Sequence, residues 1–163
     1  MSGSSERTTK LKSLTLRITD PETARVAAVH RATGEIVGAG CVVDSKHILT
    51  CFHVAAAALT PRTLERGRHV PVTLVGAEGQ PTVTTTVRKL GDNRPEYDLA
   101  LLEIVDQPRF QCSRVEFASL WRHGDKPYSV LGFPGGDRQG RNATGRLHAA
   151  DAKGLVQMDR GGA

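Results

Sequence analysis

Two short segments of the chain each place a side chain of catalytic type at the edge of an apolar run. Residues 48–54 (ILTCFHV) carry His53, and residues 97–102 (YDLALL) carry Asp98, 45 positions later. A histidine followed by an aspartate, with a serine still to come, is the chain order of one form of the Ser-His-Asp triad. In that chemistry a serine hydroxyl attacks a carbonyl carbon and the imidazole removes its proton. His53 and Asp98 are therefore the candidate general base and its orienting carboxylate.

These residue types suit the two roles for physical reasons. A serine hydroxyl is a poor nucleophile at neutral pH and needs a base with a pKa of about 7, which imidazole supplies. The imidazole must also hold one tautomer, which a carboxylate bonded to its other ring nitrogen achieves. We expect His53 to face a cleft between two lobes, and Asp98 to lie shielded from water at the mouth of a strand.

The elements that must position these residues are predicted to be strands. Leu14, Leu16 and Ile18 alternate with polar residues, which is the period of a half-buried strand. Turn residues at 44–47 predict a hairpin, and the alanine-rich run Val54–Leu59 predicts a single helical turn after His53. Many short strands at near-regular spacing indicate a sandwich or barrel. The other apolar or β-branched runs that predict strands in the first half are 24–30, 36–43, 69–75, 82–90 and 99–105.

The second half of the chain has a different pattern. Residues 106–127 show no clean period and are interpreted as a connector between two lobes. Three further strands are predicted at 128–132, 144–149 and 154–158, the first followed by the tight turn of residues 132–136 (GFPGG). The predicted organisation has four parts: a flexible polar tail (1–12), an N-terminal β-barrel lobe (13–105), the connector (106–127) and a partial C-terminal β-barrel lobe (128–163).

Composition narrows the classes of partner. The chain has 163 residues, of which 39% are hydrophobic and 24% charged, so it can bury a core without disulfide bonds. The formal net charge is +5, but the basic residues are scattered and the few aromatic residues do not interleave with them. Because a nucleic-acid groove needs both features, no nucleic-acid partner is predicted. No stretch approaches the roughly 18 apolar residues of a membrane span, so no membrane partner is predicted.

The N-terminus and the cysteines predict a reducing, cytoplasmic location. Residues 1–6 are polar and lack the apolar centre of a signal peptide. Cys41, Cys51 and Cys112 are odd in number and have no C-x-x-C spacing, which argues against a zinc site and a disulfide framework. We therefore predict no metal and no cofactor. The predicted hairpin places Cys41 and Cys51 on paired strands, where they could be near each other, and both are predicted to be buried, reduced hydrophobic residues. The histidines without a catalytic context are predicted to lie on the surface: His30, His47, His69, His123 and His148.

Three motifs, in the same order, resemble those of trypsin-like serine peptidases. The first motif is the G-x-G and L-T-x-x-H-V stretch of that family, which residues 38–44 (GAGCVVD) and 48–54 resemble. The second is its D-[IL]-A-[LV]-L segment, which residues 97–102 resemble. The third is its G-[FY]-P strand end, which residues 130–136 (VLGFPGG) resemble. The resemblance implies an all-β, chymotrypsin-like double antiparallel β-barrel. It also implies a serine endopeptidase that acts on a protein or peptide substrate, with His53 and Asp98 as catalytic residues.

Within that family the sequence is most similar to a bacterial cytoplasmic, effector-type subgroup. Members of this subgroup are often the N-terminal module of larger signalling or defence proteins with NTPase, TPR or WD-repeat partners. The resemblance therefore implies that further domains or chains of a larger multidomain protein are the partners of this chain.

The third triad member is where the sequence departs from the family pattern. The family carries its nucleophile in a G-x-S-[GA] loop, beside the N–H groups of the oxyanion hole, after a strand like residues 155–159. Here the sequence continues only through residues 160–163 (RGGA), and none of its serines lies in such a setting. The expectation is that the second barrel is incomplete in this chain and that residues 1–163 alone are inactive. The specificity pocket of the family lies in the same later part, so the sequence does not define a preference at the cleaved bond.

Three hypotheses remain from the sequence. The first is a serine endopeptidase of which this chain carries the histidine and aspartate but not the serine. The second is a non-catalytic trypsin-like module used for docking or regulation within a larger signalling or defence protein. The third is a small β-barrel binding domain with accidental motifs, which predicts that His53 and Asp98 lie far apart.

Overall fold

The computed structural model describes residues 15–16, 25–60, 63–91, 97–105, 109–110, 115, 125–148 and 158–160. The strands in these ranges are β1 (Thr15–Leu16), β2 (Val26–His30), β3 (Ile36–Val42), β4 (His47–Thr50), β5 (His69–Leu74), β6 (Thr82–Leu90), β7 (Ala100–Ile104), β8 (Arg109–Phe110), β9 (Lys126–Gly132), β10 (Arg141–Leu147) and β11 (Met158–Arg160). One α-helix, α1, spans Phe52–Leu59, and a 3₁₀ turn spans Pro134–Gly136.

Six strands close into an antiparallel barrel in the order β2-β3-β4-β7-β6-β5. Along β5, the buried Val70, Val72 and Leu74 alternate with less buried residues, as expected for a strand with one face in the core. The predicted all-β class with a closed antiparallel barrel is therefore confirmed. The largest fully buried side chains, which fill the barrel, are Ile48, Leu74, Leu102, Val29, Val42, Val70, Val72, Val87 and Thr85.

The predicted hairpin joins β3 to β4. The Asp44 carboxylate accepts the backbone N–H groups of Lys46 and His47 at 2.8 and 2.9 Å, which fixes the tight turn. The two strands then pair in register, with Cys41 opposite Leu49. This hairpin directs the chain through β4 to the end of the barrel where His53 follows.

The helix that follows β4 is longer than predicted. The sequence predicts one helical turn after His53, whereas α1 has eight residues and contains His53 itself. Its buried residues are Val54, Ala55 and Ala58. Val54 packs closely on Gly38 of β3: a Cβ added at Gly38 would lie only 2.7 Å from both Val54 methyl carbons. Packing against the barrel stabilises a helix too short to form alone. No helix in the described ranges is long and apolar enough to cross a membrane.

Strand β1 does not belong to the barrel. The alternation at residues 14–18 correctly predicts a strand at Thr15–Leu16, but β1 pairs in parallel with β8 in a separate two-stranded sheet. The alternation of apolar and polar residues predicts a strand and its two faces, but it does not predict which strand it will pair with. The barrel closes without β1.

A second, three-stranded antiparallel sheet has the order β11-β10-β9. β9 and β10 begin earlier than the sequence predicts, at Lys126 and Arg141. The last predicted strand, 154–158, shares Met158 with β11, and the rest of its range lies outside the described residues. The buried Phe133, in the turn after β9, packs on Ala28 and Ile36 of the first barrel. Phe133, together with the partly buried Leu131 of β9, therefore joins this sheet to the barrel. The division of the chain into four parts, and the connector at 106–127, remain predictions, because most of the connector lies outside the described residues.

Candidate active site

The barrel topology brings the two candidate catalytic segments to one end. Strands β4 and β7 are antiparallel neighbours, and Thr50 is paired with Ala100. His53 follows Thr50 by three residues and Asp98 precedes Ala100 by two, so both extend beyond the same end of this strand pair. Residues 45 positions apart in the sequence therefore meet because their strands are adjacent.

His53 and Asp98 form a two-point contact. The ring Nδ1 of His53 lies 2.6 Å from Oδ2 of Asp98, and the backbone N–H of His53 donates to Oδ1 of the same carboxylate at 3.0 Å. Each carboxylate oxygen thus has its own partner, which fixes both the orientation of the carboxylate and the plane of the ring. The third hypothesis, in which these residues lie apart, is wrong.

The charge state of Asp98 follows from this contact. The backbone hydrogen bond from His53 is the largest influence that lowers the pKa of Asp98, followed by the side-chain hydrogen bond and charge of His53, while burial opposes them. Asp98 is therefore ionised at neutral pH and can only accept hydrogen bonds. In a neutral imidazole the proton must then lie on Nδ1, which leaves the lone pair on Nε2. The His53 side chain is 62% exposed and that of Asp98 is 23% exposed, so Asp98 is the more shielded residue, as predicted.

Cys51 is part of this group, which the sequence analysis did not predict. The residue lies in extended conformation at the N-cap of α1, and its sulfur lies within 4.8 Å of a carboxylate oxygen of Asp98. Burial, followed by the negative charge and hydrogen bond of Asp98, raises the pKa of the Cys51 thiol. Ligand-type atoms of Cys51, His53 and Asp98 all lie within 4.8 Å of one another, and this is the group among the described residues that could hold a metal ion.

The predicted burial of the cysteines is partly wrong. Both Cys41 and Cys51 are in the thiol form, but Cys41 is exposed and Cys51 is only half-buried. Cys41 lies on the outward face of β3, opposite Leu49, because neighbouring Val42 faces the core. Cys112 lies outside the described residues.

The other described histidines are engaged elsewhere. His30 bonds Thr73 at 2.8 Å, and burial lowers its pKa. His69 is exposed, as predicted, and the other three described histidines are half-buried. His47 contacts Asp44 and His148 contacts Asp159, at 2.9 and 2.7 Å. His123 lies outside the described residues.

Two of the serines lie in the described part of the chain, and neither is bonded to His53. Ser45 is in the β3–β4 turn, and the Ser129 hydroxyl donates to Asn142 at 2.9 Å. The geometry therefore presents a base and an orienting carboxylate. It can accept a proton at the exposed edge of the His53 ring and stabilise the resulting imidazolium through Asp98.

Comparison with known proteins identifies the class to which this barrel and site belong. The model of the trypsin-like peptidase domain family matches residues 38–161. The chain therefore belongs to the trypsin-like peptidase domain family. None of the curated protein sequences compared with the chain matches it.

Solved structures show the same fold. Kallikrein-related peptidase 10 is 16% identical, with a TM-score of 0.52, and the match covers 88% of this chain and 73% of that one. Neuropsin, a serine protease expressed in the limbic system of mouse brain, is 14% identical, with a TM-score of 0.50, and the match covers 90% and 74% of the two chains. At these identities the likeness concerns the fold alone, and it confirms the predicted chymotrypsin-like architecture with a partial second barrel.

Proposed function

We propose that this chain contributes the base and the orienting acid of a serine endopeptidase. The observation that carries the proposal is the two-point contact between His53 and Asp98, at 2.6 Å and 3.0 Å. Membership of the trypsin-like peptidase family supports it. An Asp-oriented imidazole with an available Nε2 is what a serine hydroxyl needs in order to attack a peptide carbonyl.

In the proposed reaction, Nε2 of His53 takes the proton of the serine hydroxyl as the oxygen attacks the carbonyl carbon. Asp98 holds Nδ1–H and stabilises the imidazolium without itself being protonated. The imidazolium then gives its proton to the leaving amine, and a water molecule repeats the sequence to release the acyl group. The serine and the oxyanion hole are supplied, in this proposal, by residues outside this sequence, because none of its serines lies in a G-x-S-[GA] setting.

The cellular setting is also a proposal. Resemblance to a bacterial cytoplasmic, effector-type subgroup supports a cytoplasmic peptidase module that acts on a protein or peptide substrate. Such a module would belong to a larger signalling or defence protein, whose other domains or chains are its partners.

A second candidate function is also consistent with a sequence in which no serine lies in a G-x-S-[GA] setting. In that function, the barrel is a non-catalytic trypsin-like module that serves docking or regulation. The two functions differ in one observable property, the reactivity of an active-site serine in the natural polypeptide.

Labelling with a fluorophosphonate probe tests the proposal. The natural polypeptide that contains these residues is expected to be labelled at one serine, and His53→Ala is expected to abolish labelling. His69→Ala, which changes an exposed histidine on β5, is the matched control and should label normally. Residues 1–163 alone should not be labelled. If the natural polypeptide has no reactive serine, the non-catalytic function is correct. If residues 1–163 alone are labelled with dependence on His53, the nucleophile lies within this sequence and the assignment of its position is wrong.

A further inference from the structure

Three ligand-type side chains converge at the end of the barrel, and the proposed hydrolysis makes no use of one of them. Cys51, His53 and Asp98 each offer one ligand atom, and these atoms lie within 4.8 Å of one another. A sulfur, an imidazole nitrogen and a carboxylate oxygen are the three donor types that bind Zn²⁺ in proteins. The thiol also selects against Mg²⁺ and Ca²⁺, which prefer oxygen ligands.

We propose that Cys51, His53 and Asp98 form a binding site for a thiophilic divalent cation of the zinc type, and that the bound cation inactivates the His53 base. The inhibitory effect rests on the proposed peptidase function, whereas the binding itself does not.

The three ligand atoms lie within 4.8 Å of one another, which is near enough for one ion to contact all three after a small adjustment. Zinc-to-ligand distances of about 2.0–2.3 Å place neighbouring ligand atoms about 3.3–3.6 Å apart. Nδ1 of His53 and Oδ2 of Asp98 are now 2.6 Å apart, so they must separate by about 1 Å or less. The His53 side chain, which is 62% exposed, has room to rotate by that amount. Its exposed side also leaves a fourth position open to water, as in sites with three protein ligands.

The backbone around the three ligands is held in place. Cys51 caps α1 and His53 lies in its first turn, while Asp98 precedes β7, the neighbour of β4 in the barrel. The His53 backbone N–H donates to Oδ1 of Asp98 at 3.0 Å. Because the metal would use Oδ2, this hydrogen bond to Oδ1 can persist and hold the carboxylate in orientation toward the ion.

Metal binding and base catalysis exclude each other at this site. In the resting pair Nδ1 carries the ring proton and Nε2 carries the lone pair. A cation on Nδ1 needs the lone pair there, so the ring proton moves to Nε2 and the Cys51 thiol releases its proton to solvent. Nε2–H cannot accept the proton of a serine hydroxyl. The cation therefore inhibits by fixing the tautomer of His53 that cannot act as a base.

The cysteine spacing alone predicts no zinc site, because the chain has no C-x-x-C pair. Here one ligand pair comes from a C-x-H segment, and the third ligand is 45 residues away from His53. Only the adjacency of β4 and β7 brings them together.

Cobalt binding tests the site directly. In a background variant with Cys41→Ser and Cys112→Ser, Cys51 is the only thiol in the chain. Titration of this variant with Co²⁺ should give a thiolate-to-cobalt charge-transfer band at one ion per chain, and Zn²⁺ should displace the Co²⁺. Adding Cys51→Ser should abolish the band and weaken Zn²⁺ binding by more than the roughly 10- to 100-fold that is lost when only a residue bonded to a ligand is removed. His53→Ala should also weaken binding, whereas His69→Ala should not.

Circular dichroism on each variant separates loss of the site from loss of the fold, and Cys51→Ala provides a second variant if Cys51→Ser does not fold. A band that persists after Cys51→Ser overturns the proposal. Absence of Zn²⁺ and Co²⁺ binding in the folded background variant overturns it equally.

Inhibition is measured on the natural polypeptide with the fluorophosphonate probe. Zn²⁺ should block labelling and a chelator should restore it. At a Zn²⁺ concentration that blocks the parent, the Cys51→Ser variant should keep a larger fraction of its own metal-free labelling. If labelling without metal fails while the cobalt band persists, the peptidase function is wrong and the metal site stands. If labelling succeeds and is insensitive to Zn²⁺, the inhibitory site is wrong and the peptidase function stands.

Discussion

Asp98 accepts two hydrogen bonds from a single residue, His53. One comes from the backbone N–H to Oδ1 at 3.0 Å, and the other joins the ring Nδ1 to Oδ2 at 2.6 Å. The backbone contact fixes the carboxylate relative to the start of α1, so the ring has one favourable orientation. The backbone of His53 thus positions the Asp98 carboxylate, and that carboxylate in turn positions the His53 ring.

Substitution of Asp98 by asparagine should lower turnover far more than it lowers stability. An asparagine amide can donate to Nδ1, which favours the proton on Nε2 and removes the base. In the serine-carrying natural polypeptide, kcat should fall by about 10⁴, measured with a peptide substrate at fixed pH.

The chain offers a matched control for this substitution. Asp44 and His47 also form a carboxylate–imidazole contact, at 2.9 Å, but in the β3–β4 hairpin. Asp44→Asn should leave kcat unchanged within a factor of about two. Comparable losses in both variants would mean that the Asp98 effect is structural.

The same carboxylate should make the fold sensitive to acid. The pKa of Asp98 is lowered in the folded state, chiefly by the backbone hydrogen bond from His53. A lowered folded pKa contributes stability above the unfolded value of about 3.9, and this stability is lost as the pH falls through the folded pKa. The free energy of unfolding should therefore decrease below about pH 4, as measured by urea denaturation.

Asp98→Asn isolates the contribution of this group to acid sensitivity. Because the variant lacks the titrating carboxyl, the difference in unfolding free energy between wild type and variant should shrink as the pH is lowered from 7 to about 2. A difference that stays constant over this range would show that the Asp98–His53 contact does not contribute to stability in solution.

Local signals account for the parts of the fold that the sequence predicts well. The β6 strand is observed at Thr82–Leu90, the range predicted from its β-branched residues, and the hairpin at Asp44 occurs where turn residues separate two apolar runs. Both features depend on residues close together in the chain. The contact between His53 and Asp98 also follows from the sequence, because two short motifs mark the ends of strands that the family pairs.

The features that the sequence does not predict depend on tertiary packing. The eight-residue α1 buries Val54, Ala55 and Ala58, and the partner of β1 is a distant two-residue strand, β8. The position of Cys51 beside Asp98 follows from the reversal of the chain between β4 and α1. Spacing rules for cysteine do not describe such a reversal.

A methyl group at Gly38 should disturb the helix that carries His53. A Cβ there would lie 2.7 Å from both methyl carbons of Val54, and a β-branched side chain cannot rotate away. Gly38→Ala should destabilise the protein by about 1–3 kcal/mol, measured by urea denaturation. Gly132→Ala, where nothing lies within 4 Å of an added Cβ, should have little effect.

A double variant tests whether Val54 is the cause. Val54→Ala removes the two clashing methyl groups, so Gly38→Ala should cost less in that background than in the wild type. The coupling free energy in the double-mutant cycle should be about 0.5–3 kcal/mol. Additive effects would place the source of the strain at another contact.

The reactivity of Cys51 reports on its contact with Asp98. Burial is the largest influence that raises the pKa of this thiol, and the charge and hydrogen bond of Asp98 follow. Since only the thiolate reacts with iodoacetamide, Cys51 should be alkylated more slowly at about pH 8 than a thiol of ordinary pKa, which is about 8.5. Cys41, which is exposed, provides the internal reference. Mass spectrometry in the presence of a chelator resolves the two rates.

Asp98→Asn should accelerate alkylation of Cys51 and leave that of Cys41 unchanged. The substitution removes the negative charge that opposes thiolate formation, so the pKa of Cys51 should fall. It should fall only partway to the ordinary value, since burial, the largest influence, remains. The rate profile against pH should therefore shift to lower pH with its plateau unchanged. A rise in the plateau alone would indicate that the variant has opened the site, and equal rates in wild type and variant would mean that the thiol and the carboxylate do not interact.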